Sequence, residues 1–217
     1  MFCELKNNSY IMSSTEESQS SVLEFFMLVG KLKHLKRTGW VLRDISECED
    51  VAGHMYRMSI MAFLLDDTSL NVNRERCIKM ALVHDISECI VGDLTPFCGV
   101  SKEEKHKKEM EAMKRLCSLV GEKVGQEFLD LFKEYEEQQT DEAKTVKDLD
   151  KFDMILQAFE YEKQSQFSVN LQDFFNSTEG TFQNPLILKW VEELKLKRSN
   201  CLQPSIPKPS EPECDQK

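Results

Sequence analysis

Apolar residues in this chain recur every three or four positions over most of its length and almost nowhere at every second one. That spacing builds helices with one buried face and leaves strands without one. Val22, Phe25, Phe26, Val29 and Leu32 form such a stripe over 21–36, which Thr38-Gly39 interrupts. Val51, Met55, Met58, Ala62 and Leu65 form the next over 51–65, and Cys77, Met80, Ala81, His84, Glu88 and Val91 a third over 74–91. A helix over 102–119 starts polar and then carries Met110, Met113, Leu116 and Leu119; further helices are expected over 124–137, 141–164 and 184–197. The fold class is all-α. At 217 residues the chain suits one domain, since domains typically hold roughly 100–200.

The two ends depart from this pattern. Residues 1–20 are polar and Ser-rich and read as a flexible arm. From about 199 the chain holds four of its six prolines and no apolar period. Such composition does not offset the entropy of ordering, so 199–217 reads as a disordered tail and 21–198 as the folded domain. The net charge of −10 repels nucleic-acid phosphates, and no nucleic-acid partner is expected, although a local cationic pocket still accepts a small phosphorylated molecule. No run of about 18 apolar residues suggests a membrane span, and the N-terminus does not read as a secretory signal. None of the eight cysteines forms a closely spaced pair, which disfavours zinc ribbons and disulfide frameworks. Reduced thiols in an intracellular, cytoplasmic setting are the simpler expectation.

The sharpest local signal is ALVHDISECIVGDLTP, residues 81–96. His84 and Glu88 continue an apolar stripe, and Asp85 extends Ile78 and Leu82. Three ionisable groups on faces that elsewhere bury carbon are costly unless paired or bound to an ion. Gly92 offers a helix stop, placing Asp93 in the turn beyond. His54 lies on the edge of the apolar face of Met58 and Met61. A lone inward histidine is more often a hydrogen-bonded core residue, and a His-Asp pair is common by chance. Taken together, His54, His84, Asp85, Glu88 and Asp93 point to a metal site with mixed nitrogen and oxygen donors, suited to Mn, Fe, Co, Zn or Mg.

The order of these residues carries a resemblance. A histidine on one helix, a His-Asp dyad on the next and a distant aspartate on a later helix resemble the HD superfamily of metal-dependent phosphohydrolases. The segments RTGW (37–40), EDVAGHMYRM (49–58), ALVHDISECIVGD (81–93), EEKH (103–106) and LDKFDMILQA (149–158) are similar to the HD-domain-containing protein 2 group of 5′-deoxynucleotidases, over about residues 20–197. Gly53 departs from that pattern, which usually has an acidic residue before the first histidine; a local change in the helix is expected there. Asp148, Asp150 and Asp153 share one predicted helix whose apolar register does not choose among them. The resemblance selects Asp150, leaving Asp148 and Asp153 as solvated surface groups.

The resemblance implies an HD-type helical bundle that hydrolyses (deoxy)nucleoside 5′-monophosphates. It implies a first ion (Mn, Co or Fe) on His54, His84, Asp85 and Asp150; Glu88, which projects one turn beyond the His-Asp pair, is the choice for general base or water-orienting group. Asp93 would contact the sugar or, with Glu88 and the Leu94 carbonyl, hold a second ion such as Mg. Arg37 and Trp40 read by themselves as a surface cation and a core anchor; the resemblance makes them a phosphate clamp and a base-stacking ring. It also implies a homodimer, for which the apolar 21–36 helix offers a surface. Two rival readings stand beside this one. The first is an HD hydrolase of another nucleotide phosphoester, whose extra motifs are not found here. The second is a metal-stabilised binding module, which has no need of Glu88 and Asp93 beyond four ligands.

Overall fold

The computed structural model describes residues 19–65 and 72–202, and its regular elements there are helices. They are α1 (19–29), α2 (Thr38–Val41), α3 (Val51–Ala62), α4 (Arg74–Val83), α5 (Glu88–Val91), α6 (Lys102–Ser118), α7 (Glu122–Glu137), α8 (Asp141–Gln164), α9 (Gln172–Ser177) and α10 (Pro185–Leu202). Short 3-10 turns occupy Gly30–Lys33 and Pro96–Cys98. The sole extended pairing among the described residues is the antiparallel bridge between Lys36 and Asp50.

Helix starts follow local chemistry. Asp50, Asn73, Ser101 and Thr140 each accept, on a side-chain oxygen, the backbone N–H three residues on: Gly53 at 2.8 Å, Arg76 at 2.9 Å, Glu104 at 3.1 Å and Ala143 at 3.1 Å. These caps satisfy donors that have no partner within the helix. Helix α8 lies at the centre and packs against α3, α4, α7, α9 and α10, while α3 also packs against α4. The core runs through Met55 and Met58 of α3, Cys77 and Met80 of α4, and Val146, Leu149 and Ile155 of α8. The three helices that carry the predicted ligands are thus the ones that pack on one another.

Several expectations change. Residues 19–20 belong to α1 rather than to an arm, and α10 runs to Leu202, so the folded domain extends past 199; residues 1–18 and 203–217 lie outside the described residues. The helix expected over 74–91 is two helices, because the chain tightens at His84–Ser87. There Ile86, Glu88, Cys89 and Ile90 donate to carbonyls three residues back, at 3.0–3.3 Å. A 3-10 turn has about three residues per turn, so Asp85 and Glu88 come to the same side. Leu82 is 47% exposed, so Asp85 stands at a cleft edge rather than on a buried apolar face. Gly53 leaves α3 regular, because its N–H is taken by the Asp50 cap. The turn at Gly92, with φ of +80°, ends α5 as expected.

One glycine sets a helix contact. A Cβ on Gly125 would lie 2.6 Å from the Cys117 carbonyl oxygen, where α6 and α7 cross and neither backbone can yield easily. Gly125→Ala should therefore destabilise the fold by about 1–3 kcal/mol, the usual cost of overpacking. A thermal melt checks this, with a fall of several degrees expected and an unchanged midpoint counting against so close a crossing.

Candidate metal centre

His54 comes from the second turn of α3, His84 and Asp85 from the tightened end of α4, and Asp150 from the middle of α8. One donor atom each of His54, His84 and Asp85 lies within 4.8 Å of the others. The Nε2 of His54 stands 3.3 Å from Asp150 Oδ1 and 3.8 Å from Asp85 Oδ2, and the Nε2 of His84 stands 3.2 Å from Asp85 Oδ2. Both Nε2 atoms are buried without a hydrogen bond, as is Glu88 Oε2. Buried polar atoms are seldom left so.

The other ring nitrogens explain which way the imidazoles point. The Nδ1–H of His54 donates to Asp153 Oδ2 at 2.7 Å, and the Nδ1–H of His84 donates to the Ala81 carbonyl at 3.0 Å. A carbonyl only accepts, so His84 carries its proton on Nδ1 and turns its Nε2 lone pair toward Asp85. The carboxylate–imidazole pair of Asp153 and His54 does the same on the other side, the arrangement that fixes tautomers around metal ions. The donor set therefore fits a divalent cation: two imidazole nitrogens without a hydrogen bond beside two carboxylates.

Without an ion, the pocket draws a proton onto His54 instead, which a bound cation would displace. Burial and the Arg37 charge oppose a proton on His54, yet Asp150 and Asp153 outweigh them and hold its pKa up at about 9. Burial alone would raise Asp85 and Asp150. The first is instead held below the usual carboxylate range by His84 and Arg37, and the second by Lys147, His54 and His84. Anionic oxygens gathered on two imidazoles call for positive charge between them. Glu88 behaves oppositely: burial, reinforced by Asp85 and Asp93, pushes its carboxyl well above the ordinary range.

Around this cluster stand residues that the sequence reading passed over. Tyr135 Oη and Lys147 Nζ both donate to Asp150 Oδ2, at 2.8 and 2.9 Å, which leaves Oδ1 to face His54. Arg57 pairs with Asp153 and, at 2.8 Å, with Glu160. Asp153 is 0% exposed and is not a solvated surface group. Asp148 is likewise buried, accepting the backbone N–H groups of Gln183 and Asn184 at 2.6 and 2.7 Å where the chain turns into α10. Lys147 stands three residues before Asp150 and Asp153 three after, one helical turn either way, and that spacing is the signal that was available. Tyr135 has no comparable signal.

Arg37 is no surface cation: its side chain is 15% exposed, and Nη1 lies 3.4 Å from Asp85 Oδ2. Asp93 accepts the Thr38 N–H on Oδ2 at 2.7 Å and the Thr38 hydroxyl on its carbonyl at 2.8 Å, which pins the loop carrying Arg37. The Leu94 carbonyl accepts Lys105 Nζ at 2.8 Å. A second ion on Glu88, Asp93 and Leu94 would share its oxygens with Thr38 and Lys105. Trp40 is 1% exposed; its Nε1–H donates to Glu49 at 3.0 Å, and its ring packs on Tyr161 and Phe174. That placement favours core anchor over stacking ring. A cavity of about 440 Å³ opens beside the cluster, and Arg37 and Asp93 line its inner end.

The chain is similar to known proteins over most of its length. The family model of the HD domain matches residues 29–188. The 5′-deoxynucleotidase HDDC2 of Xenopus laevis is 47% identical over 189 residues, covering 87% of this chain and 93% of that protein. Among solved structures, HD domain-containing protein YGK1 superposes with a TM-score of 0.64 at 30% identity, over 85% of this chain and 87% of its own. A Magnetospirillum magnetotacticum protein described as a "predicted metal-dependent phosphohydrolase" gives 0.64 at 25% identity, over 85% and 97%. With the matched span running from the end of α1 into α10, through every helix that brings a histidine or aspartate to the cluster, this chain belongs to the HD-domain family.

Proposed function

We propose that this chain is a metal-dependent 5′-deoxynucleotidase, which hydrolyses deoxynucleoside 5′-monophosphates to nucleoside and phosphate. Relatives named 5′-deoxynucleotidase, 46–49% identical over most of the chain, support that activity. The observation that carries it is the pair of buried, unbonded Nε2 atoms facing two carboxylates. His54, His84, Asp85 and Asp150 would hold the ion, and Mn, Co or Fe suits a mixed nitrogen and oxygen set. When bound, a divalent cation supplies Lewis-acid polarisation of the phosphoryl oxygens and lowers the pKa of water.

The chain's own residues supply the rest. Arg37, held by Asp85 and by the loop that Asp93 pins, offers paired donors to a phosphate at the cavity's inner end. Glu88 has a raised pKa and a free oxygen beside the cluster, which suits a group that takes the proton of the attacking water. The water oxygen bonds to phosphorus, the bond from phosphorus to O5′ breaks, and the proton taken up by Glu88 balances the one that O5′ gains as the nucleoside leaves. Asp93 and the Leu94 carbonyl, with Glu88, are the place for a second ion such as Mg, in competition with Lys105. The same reading carries a homodimer, with exposed Leu23, Phe26 and Met27 of α1 as its contact face. It also places the enzyme in the cytoplasm, where its thiols stay reduced.

A phosphate-release screen of nucleoside 5′-monophosphates against several divalent ions tests this proposal. Deoxynucleotides should be preferred over ribonucleotides, exhaustive chelation should stop turnover, and Mn²⁺ or Co²⁺ should restore it. Turnover indifferent to chelation, or no release from any nucleotide with any ion, would sink the reading.

A further inference from the structure

The cavity beside the cluster has an outer wall that phosphate hydrolysis itself does not need. Phe97, on the Pro96–Cys98 turn, is 73% exposed, and water around an aromatic ring is unfavourable unless something covers it. Across the cavity Phe174 rests on Trp40, ring centroids 4.5 Å apart, and Trp40 is locked in the core by Glu49. One wall is therefore firm and the other sits on a short turn. The Arg43 guanidinium lies over both rings, 5.8 Å from the Phe97 centroid and 5.5 Å from that of Phe174, and pairs with Asp173 at the rim. These rings already receive a flat group whose donors lie on its edge.

A nucleobase has that same shape and chemistry. We infer that the cavity is the base subsite, in which Phe97 and Phe174 cover the faces of the base of a bound nucleotide. The Arg43–Asp173 pair offers a donor and an acceptor to the base edge. The inference rests on the nucleotidase reading, since it places the phosphate at Arg37, which lines the cavity and pairs with Asp85 of the cluster. The cavity's about 440 Å³ lies within the roughly 300–1,000 Å³ of small-molecule sites, and it joins a charged end to an aromatic one as such sites do. Trp40 serves the base at one remove, as the support behind Phe174.

Phe97→Ala tests the subsite, because so exposed a ring contributes little to the fold. Two substrates are compared, 2′-deoxyadenosine 5′-monophosphate and 2-deoxyribose 5-phosphate, which lacks the base. Stacking on an aromatic ring is worth roughly 5- to 100-fold per base, so the preference for the nucleotide, as a ratio of kcat/KM values, should fall about tenfold in the variant. Phe174→Leu, which keeps packing against Trp40, should act in the same direction. Calorimetric affinity for the 5′-methylenephosphonate analogue, whose P–C bond resists hydrolysis, should drop by a similar factor in Phe97→Ala. An unchanged preference together with unchanged affinity overturns the subsite, even if nucleotides are turned over. Phe97-dependent binding without any turnover keeps the subsite and defeats the nucleotidase reading instead.

Discussion

Asp85→Asn should abolish phosphate release while leaving the helical fold intact. Asparagine keeps the shape of the side chain but removes the charge that faces both imidazoles, at 3.2 and 3.8 Å, and that pairs with Arg37 at 3.4 Å. Loss of a group that merely supports a ligand typically costs 10–100-fold in metal affinity or activity. Loss of a ligand in a four-donor set should cost more, on the order of 10³-fold. The fold should tolerate the change because Asp85 stands at the cleft edge, 20% exposed, among carboxylates that repel one another when no ion is bound. Metal content by mass spectrometry should drop with activity, and the circular dichroism spectrum should not. Near-normal turnover in a variant free of wild-type enzyme would remove Asp85 from the ligand set.

That residue also shows what the sequence discloses and where it stops. His54, His84, Asp85 and Glu88 were legible because each interrupts or borders an apolar stripe of period 3.6, and an ionisable group in such a place needs a partner. Helices as long as α6, α7 and α8 were legible for the same reason, since several turns repeat the pattern. Six-residue α9 and four-residue α2 offer too few turns to show a period. The tightening at His84–Ser87 is a tertiary effect: nothing in those residue types forbids a continuous helix.

The aspartates of α8 fail to sort by pattern for another reason. That helix is packed by α3, α4, α7, α9 and α10, so it has no single apolar face against which a polar residue would look misplaced. Asp148, Asp150 and Asp153 then do three separate jobs, capping a chain turn, facing the histidines and orienting His54. Only contacts from other helices tell them apart. Trp40 is similar, because its indole N–H meets a buried acceptor in Glu49, and no local signal distinguishes that anchor from a ring waiting for a ligand.

Glu88→Gln should separate chemistry from metal binding. The glutamine fits the same buried space yet accepts no proton, and general-base loss typically costs about 10²–10⁴-fold in rate. The first ion keeps its four donors, so metal content should stay near that of the wild type while kcat falls and the acid limb of the pH–rate profile disappears. Stability should move the other way. Burial, Asp85 and Asp93 push the folded-state pKa of Glu88 well above the ordinary value, which for an unfolded glutamate is about 4.3. The folded chain therefore binds more protons than the unfolded one across that interval, and the metal-free protein loses stability as pH rises through it. Glutamine has no charge to desolvate, so the metal-free variant should melt above the metal-free wild type at neutral pH and show no such loss. A variant that turns over within a fewfold of wild type would leave the proton with another group. One that melts lower would mean that the Glu88 carboxylate is stabilised by contacts outside the cluster.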